Sequence, residues 1–296
     1  MQPESDRNFD NSNSERVYRI HLNPDKGAAY AYTVTNETSM SFEVEDKKVE
    51  NQNKTNVEME LHVDKDSVGN SLFNMKYHKI KLYLKNGDNE SDLDADNAAN
   101  SFNATEKMLG ILKSARIISN VRPNGEIKSI TGYKELGVKL LEEININDIQ
   151  ARKIALEQWD KIAGESVIKQ NLDQLFMIFP DSAIHVGDSW KITNRQSSGI
   201  PVQLKSTCTL KAINKSIAIV ESEGKLSNDK ANINVMGSNL NTNLEGTQES
   251  QFEVETTTGM LLSGRVRTKM EGKIQIMGRE IPVIIKNSVV IKSQKF

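Results

Sequence analysis

The sequence is poor in cysteine, in aromatic residues and in long apolar runs, and each shortage excludes a class of protein. Its 296 residues include one cysteine, Cys208, so no internal disulfide can form. No run approaches the roughly 18 consecutive apolar residues that a membrane-spanning helix needs. Aromatic residues make up only 5%, which is lean for a compact core. Cys208 lies in an alternating segment and is predicted to be a strand residue, because a catalytic thiol would need a neighbouring histidine base.

The charges are balanced. Lysine and arginine number 38 and aspartate and glutamate 40, which gives a formal net charge of −2. A nucleic-acid-binding protein normally carries a basic face, and no cluster of lysine and arginine with interleaved aromatics is present. We therefore expect no nucleic-acid partner.

Residues 1–15 are polar and cannot bury enough apolar surface to order themselves, so we predict a disordered tether. One interpretation is a frayed terminus. The other is the tether of an exported lipoprotein whose signal peptide and lipidated cysteine are absent from this sequence.

Apolar and polar residues alternate with a period of two along most of the chain. Val57, Met59, Leu61 and Val63, for example, share one face of a strand. Burial of one face is typical of antiparallel sheets, and the length of the runs predicts long, curved strands. Other strands are predicted at 17–22, 30–35, 77–84, 189–193, 202–213, 216–225, 250–256, 261–269 and 283–291, with 227–243 a long loop or a weak edge strand.

Helical spacing replaces this alternation between residues 134 and 179. Asn147 or Asp148 can cap one helix, Gly164 interrupts, and Pro180 ends the region. The apolar stripe of the first helix consists of Ala151, Ile154, Ala155, Trp159 and Ile162, and that of the second of Ile168, Leu172, Leu175 and Phe176. Trp159, Phe176 and Phe179 are predicted to be core residues, with a ligand-facing role as the alternative.

We therefore predict an α+β, mainly β fold. A long, curved antiparallel sheet, as a half-barrel or open barrel, packs against the helical segment 134–179, and residues 16–296 form a single domain. Two weak echoes connect the halves 16–133 and 180–296. Gly27 and Gly187 each precede an aromatic residue that begins a strand, and Gly125 and Gly259 each lie in a turn before a strand. The echoes raise the possibility of two related β halves.

Catalytic and metal-binding motifs find little support. Asp92, Asp94 and Asp96 match the start of a calcium loop, but Asn97 stands where glycine is needed, so a solvated hairpin loop is the competing interpretation. The histidines at 21, 62, 78 and 185 are scattered, and His62 is expected to be exposed. We predict no cofactor and no enzyme activity, unless carboxylates from separate strands meet in a cleft.

The run from Gly164 to Trp190 carries an apolar helix ending in Phe179-Pro180, a short spacer and then Val-Gly-Asp-Ser-Trp. Together with Lys26-Gly27 before Tyr30, it resembles an uncharacterised family of Bacteroidota lipoproteins. The resemblance covers the chain from about residue 16 onward. It implies export, an N-terminal lipid anchor and a place in the cell envelope, either periplasmic or at the outer membrane. More loosely, the expected fold is similar to the half-barrel carriers of the lipoprotein-localisation type, in which a curved sheet encloses an apolar cavity.

Two functions follow as hypotheses. The first is a monomeric, non-catalytic binding module or carrier for a lipid or another apolar ligand, with Met177, Phe176 and Trp159 as weak ligand-binding candidates and Met59, Met75 and Met108 as further interior methionines. The second is an envelope structural protein that contacts a protein or glycan and holds no small ligand. A filled, dry core would favour the second.

Overall fold

The computed structural model describes residues 16–44, 47–143, 147–176, 179–196, 200–235, 238–276 and 279–296. The predicted tether, 1–15, lies outside these residues. The strands are β1 (Ala29–Val44), β2 (Lys47–Lys65), β3 (Ser71–Asn86), β4 (Asn89–Asp94), β5 (Ile117–Val121), β6 (Ile127–Thr131), β7 (Ser189–Gln196), β8 (Val202–Asn214), β9 (Ile217–Val235), β10 (Ser238–Glu255), β11 (Leu261–Ile276) and β12 (Arg279–Lys295). The helices are a 3₁₀ helix (Ala95–Asn100), α1 (Ala104–Lys113), α2 (Lys134–Glu143), α3 (Ile149–Ala163) and α4 (Glu165–Asp173).

In the part of the chain that the structure describes, all twelve strands belong to one open antiparallel sheet. Its order is β6-β5-β3-β2-β1-β12-β11-β10-β9-β8-β7, with β4 paired to β3. The prediction of a mainly β fold with one long antiparallel sheet is therefore confirmed. The first six strands and the last six form two meanders that run the same way across the sheet and join where β1 pairs with β12.

The four glycines of the sequence echo all adopt positive φ. The angles are +85° at Gly27, +99° at Gly187, +87° at Gly125 and +68° at Gly259, a region that L side chains rarely enter. A Cβ on Gly259 would also lie only 2.3 Å from the carbonyl oxygen of His21. The predicted turns are therefore present, while a common origin for the two halves stays a prediction.

Two strand predictions are wrong. Residues 227–243 are not a long loop, because the described part of this segment lies in β9 and β10. In the described pairings, the register of β9 with β8 ends at Ser227 and β9 continues paired with β10, so this part of β9 is an edge, as the alternative prediction has it. Residues 17–22 do not form a strand. This segment is held by a single bridge between Tyr18 and Ile184 and by a hydrogen bond from the Leu22 N–H to the Pro123 carbonyl.

The helical segment is where the spacing predicts it. Asp148 caps α3 by accepting a hydrogen bond from the Ala151 N–H at 2.8 Å, and Trp159 is buried. Ile154, predicted to be on the buried stripe, is instead 58% exposed. The side chain of Ile162 lies outside the described part.

A carboxylate fixes the turn between β2 and β3. Asp66 accepts hydrogen bonds from the N–H groups of Val68 (3.0 Å) and Asn70 (2.8 Å) and from the side-chain amides of Asn70 (2.8 Å) and Asn120 (3.1 Å). Desolvation raises the pKa of Asp66, but these hydrogen bonds outweigh it and lower the pKa to about 2. Because Asn120 lies in β5, the same carboxylate ties the turn to the next strand.

Two apolar clusters lie on the inner face of the sheet, which is the face that the helices cover. The larger cluster is at the helical end, where β1 begins, and includes Tyr30, Phe73 and Leu210 with side chains from all four α-helices. The smaller cluster is at the distal end, where β1 turns into β2 and β11 into β12. It consists of Val202, Leu204, Leu226, Leu244, Met270 and Val283, with Met40, Phe42, Ile200, Ile274 and Ile285 packed against it.

Candidate functional site

A cavity of about 540 Å³ lies on the inner face between the two clusters. Seven consecutive strands, from β7 through β12 to β1, contribute to its wall, and α4 covers one side. Seven strands laid flat would span roughly 29 Å at ~4.8 Å spacing, whereas a sphere of this volume is only about 10 Å across. The sheet must therefore curve around the cavity. The volume lies in the range of about 300–1,000 Å³ typical of small-molecule sites.

Most of the larger side chains in the wall are apolar. They are Met40, Phe176, Ile192, Ile200, Val202, Leu204, Phe252, Leu226, Leu244, Leu261, Val266, Met270, Ile285 and Val289. The lining residues come from all seven strands, so the site is not formed by one continuous segment of the sequence. Two glycines on β9 and β10 allow neighbouring strands of the wall to approach closely. A Cβ on Gly224 would lie 2.7 Å from Leu204 Cδ1, and one on Gly246 would lie 2.2 Å from the Lys269 carbonyl oxygen.

A line of uncharged polar side chains crosses the wall between the apolar clusters. We call Thr38, Asn287, Thr268, Gln248 and Ser206 the polar row. They stand in register across β1, β12, β11, β10 and β8, with Gly224 in the β9 position. Each belongs to the lining of the cavity.

Hydrogen bonds within the wall satisfy some of the donors and acceptors of the polar row. Asn287 Nδ2 donates to Asn36 Oδ1 at 2.5 Å and to Thr38 Oγ1 at 2.9 Å, and Thr268 Oγ1 donates to Gln248 Oε1 at 3.3 Å. Buried polar groups are retained at low cost only when they are paired in this way. The row is therefore built into the sheet and is not a set of stray polar residues.

Helix α4 turns its polar face to the cavity. Ser166, Lys169, Gln170 and Asp173 follow the i, i+3, i+4, i+7 spacing of one helix face, and all four belong to the lining. The opposite face, with Ile168 and Leu172, is buried in the larger cluster. Lys169 Nζ and Asp173 Oδ2 are 2.9 Å apart and neutralise each other.

The three ligand-binding candidates fall in different places. Phe176 lines the cavity, and its ring centroid lies 4.7 Å from that of Phe73. Trp159 is 3% exposed in the larger cluster and does not belong to the lining. Met177 lies outside the described residues. Of the interior methionines, Met59 and Met75 are core residues and Met108 packs against the core, whereas Met40 and Met270, which sequence reasoning did not single out, line the cavity.

Cys208 is buried in its strand, as predicted, and it also belongs to the lining. Burial raises the pKa of its thiol above the ordinary value. It stands directly opposite Trp190 on β7 and Ser222 on β9. A neutral thiol at this position is compatible with an apolar site.

The acidic segment forms the strand β4 and the following 3₁₀ helix, and two of its carboxylates form ion pairs with lysines. Asp94 Oδ2 lies 2.8 Å from Lys81 Nζ, Asp96 is paired with Lys113, and Asp92 is exposed. Asp94 also caps the 3₁₀ helix by accepting from the Asp96 N–H at 3.0 Å. Among the described residues, no group of three His, Cys, Asp or Glu side chains is placed to hold a metal ion.

The outer face of the sheet carries alternating charges. His62, exposed as expected, and His78 each place Nε2 within 3.0 Å of a carboxylate oxygen of Glu60. An outer depression of about 680 Å³ crosses β10, β11, β12, β1, β2 and β3, and its lining includes the ion pair Lys54–Glu37 at 2.6 Å. Such exposed cross-strand pairs are typical of a solvated sheet surface. The inner cavity is therefore the stronger candidate for a ligand site.

Comparison with known proteins places the fold more clearly than the function. No curated protein matches. A structure described as "Lipid-protein interactions in lipovitellin" aligns with 91% of this chain at a TM-score of 0.52 and 11% identity, and the chain spans 25% of that protein. At this identity the likeness shows the fold alone. An outer membrane channel from Pseudomonas putida F1 covers 92% of the chain and 97% of its own length, at 8% identity and a TM-score of 0.22, too low to carry an argument.

No helix in the described ranges is both long and apolar enough to cross a membrane. A family model matches residues 68–261, which include β3–β10, all of the helices and the larger part of the cavity wall from α4 through β10. On this match, the chain belongs to a family of unknown function (DUF6263).

Proposed function

We propose that this protein binds an apolar ligand in the inner-face cavity and acts as a carrier without catalysing a reaction. The observation that carries the proposal is the cavity itself: about 540 Å³ of space walled by apolar side chains from seven strands. Burying apolar surface stabilises a complex by about 25 cal/mol per Å². The alternative, an envelope protein without a small ligand, predicted a filled core, and the cavity favours the carrier.

The likeness to lipovitellin supports the same choice. The name under which that structure is described concerns interactions between lipid and protein, and the shared feature is a large antiparallel sheet. We extend the binding of lipid to this chain as a proposal, with Phe176 as a contact residue because it lines the cavity. Trp159 is left out of the proposed contact set.

The first experiment is native mass spectrometry on protein purified without detergent from a bacterial host. A stoichiometric apolar adduct is expected. A bare mass, together with no binding of an added dodecyl chain such as dodecan-1-ol, would overturn the carrier function.

The single cysteine offers a second experiment. Dodecan-1-ol should slow the reaction of Cys208 with methyl methanethiosulfonate at about pH 9, where more of the thiol is ionised. The matched control is Cys208→Ser with Thr207→Cys, which moves the thiol to the neighbouring exposed position on the outer face. Equal protection in both proteins would show that the alcohol does not act through the cavity.

We further propose that the protein is an exported lipoprotein, anchored by an N-terminal lipid at the periplasmic or outer-membrane side of the envelope, and a monomer. The support is the resemblance carried by Gly164 to Trp190. Labelling the native gene product with radioactive palmitate in its own cell tests the lipid anchor. Cell fractionation tests the location, and light scattering on the purified protein tests the monomeric state. Unlabelled protein in the cytoplasmic fraction would contradict the anchor and the location.

A further inference from the structure

The cavity wall differs on the two sides of the polar row. One register step toward the helical end, the wall positions are Asn36, Val289, Val266, Ser250, Ser222 and Cys208. One step toward the distal end, they are Met40, Ile285, Met270, Gly246, Leu226 and Leu204. Asparagine and serine occupy three positions of the first set, whereas the second set has no polar side chain. The polar row is therefore the edge of a polar region, and the wall on its distal side is hydrocarbon.

Helix α4 adds to the polar side. Its apolar face, with Ile168 and Leu172, is buried in the larger cluster, so the helix lies at the helical end of the cavity. Its polar face belongs to the lining and includes Lys169 and Asp173. The remaining charged residue of the described lining, Arg195, is exposed on the edge strand β7. Because α4 presents both signs of charge, the helical end suits a polar group with or without a charge of its own.

The distal end of the cavity is apolar. Five of the six buried side chains of the smaller cluster line the cavity, and so do Met40, Ile200 and Ile285 packed against them. No described residue of this cluster comes from a helix. An alkyl chain gains free energy when it is buried on such a surface, whereas a polar group without a partner there is costly.

The volume limits the ligand to one chain. At about 30 Å³ for each water-sized group, 540 Å³ holds on the order of 18 such groups, comparable to one acyl chain with a small polar group. If the proposed function is correct, the two ends of such a ligand therefore meet different surroundings.

We infer that the cavity takes a single-chain amphiphile in one orientation, with its polar group beside α4 and the end of its chain in the smaller cluster. The first test uses two photoreactive forms of dodecan-1-ol, one with a diazirine near the hydroxyl group and one with a diazirine near the last methyl group. After illumination, peptide mass spectrometry should find the first probe on α4 and the second on residues of the smaller cluster. The reverse pattern, or one pattern for both probes, would overturn the orientation.

The second test shortens the distal end. Ile285 lines the cavity, whereas Ile274 packs against the same cluster without belonging to the lining. The wild type should bind dodecan-1-ol roughly tenfold more tightly than decan-1-ol in isothermal titration calorimetry, because two more methylene groups are buried. This gain should disappear in Ile285→Trp and persist in the matched control Ile274→Trp. A gain that persists in Ile285→Trp would contradict the placement of the chain end.

The outcomes separate the two proposals. Binding of the alcohols with a reversed or uniform labelling pattern would refute the orientation while the carrier function stands. Absence of binding and of labelling by every probe would refute the carrier function, and the orientation with it. The labelling needs only the wild type, so a folding defect in Ile285→Trp leaves the test intact.

Discussion

Filling the cavity with a leucine should stabilise the protein and weaken ligand binding at the same time. Ser250 lies on β10, opposite Ser222 and Val266, and belongs to the cavity wall. Ser250→Leu replaces a hydroxyl group and adds two methyl groups in space that is already present. At about 0.8 kcal/mol for each buried methylene-sized group, we expect a gain of roughly 1–2 kcal/mol in the free energy of unfolding and an increase of about 2–5 °C in Tm.

Whether Ser250→Leu raises or lowers the free energy of unfolding distinguishes open space from a packed core. Ser119 on β5 is the matched control, because it is 2% exposed and stands between Phe73 and Ile130 in the larger cluster. Ser119→Leu overpacks that region and should cost about 1–3 kcal/mol. Urea unfolding gives both free energies, and calorimetry with dodecan-1-ol should show about tenfold weaker binding to Ser250→Leu only. If Ser250→Leu destabilises the protein as Ser119→Leu does, the space is not available and the reasoning fails.

Three further predictions test the fold and the assignments around it. Stability that depends on the Asp66 carboxylate should be fully present above about pH 4, the ordinary range of an aspartate, and lost as the pH falls through about 2, because the folded-state pKa is lowered. In urea unfolding at several pH values, the deficit of Asp66→Asn should therefore shrink in acid; a constant deficit would contradict this. Phe73→Ala, at a fully buried ring, should cost about 3–5 kcal/mol, whereas Phe102→Ala, at a fully exposed one, should change stability little. Millimolar calcium should leave Tm unchanged, because Lys81 already pairs with Asp94. An increase in Tm that Asp94→Ala abolishes would instead support a calcium site at this aspartate.

The alternation of apolar residues was enough to locate most strands, but composition misled at the Asn- and Ser-rich stretch 227–243. Asparagine and serine favour turns when a segment is isolated. Here β9 beyond Ser227 pairs with β10, and β10 from Asn241 onward also pairs with β11, so the stretch gains ladders of hydrogen bonds that an isolated segment lacks. Tertiary pairing therefore overrides local preference.

Helix α1 was missed although the sequence holds a signal for it. Asn103 caps the helix by accepting from the Thr105 N–H at 2.8 Å, and Glu106 stands three residues after the cap, as in a capping box. The neighbouring acidic run drew attention to a calcium loop instead. A search for caps before a short apolar segment would have found the helix.

The sequence predicted an apolar cavity but not most of the residues that line it. Phe176 could be named from the sequence because it ends an apolar helix stripe. The polar row could not, since its members lie on five strands and meet only through the register of the whole sheet. A shift of one residue in any strand would turn its member to the outer face. The tertiary structure also shows what helical spacing alone does not, that the polar face of α4, with Gln170, is turned toward the cavity.

The existence of the cavity follows from a mismatch of lengths. The long strands have 16 to 19 residues and span roughly 50–60 Å at about 3.3 Å per residue. Helices α3 and α4 have 15 and 9 residues, only about 22 and 14 Å at 1.5 Å per residue. The helices therefore cover one end of the inner face, and at the other end the curved sheet must bury its apolar side chains against itself. Between these two ends, the sheet lies too far from the helices for helix side chains to fill the space against it. It is also too open there for its own side chains to fill that space. We propose that a ligand chain occupies that interval.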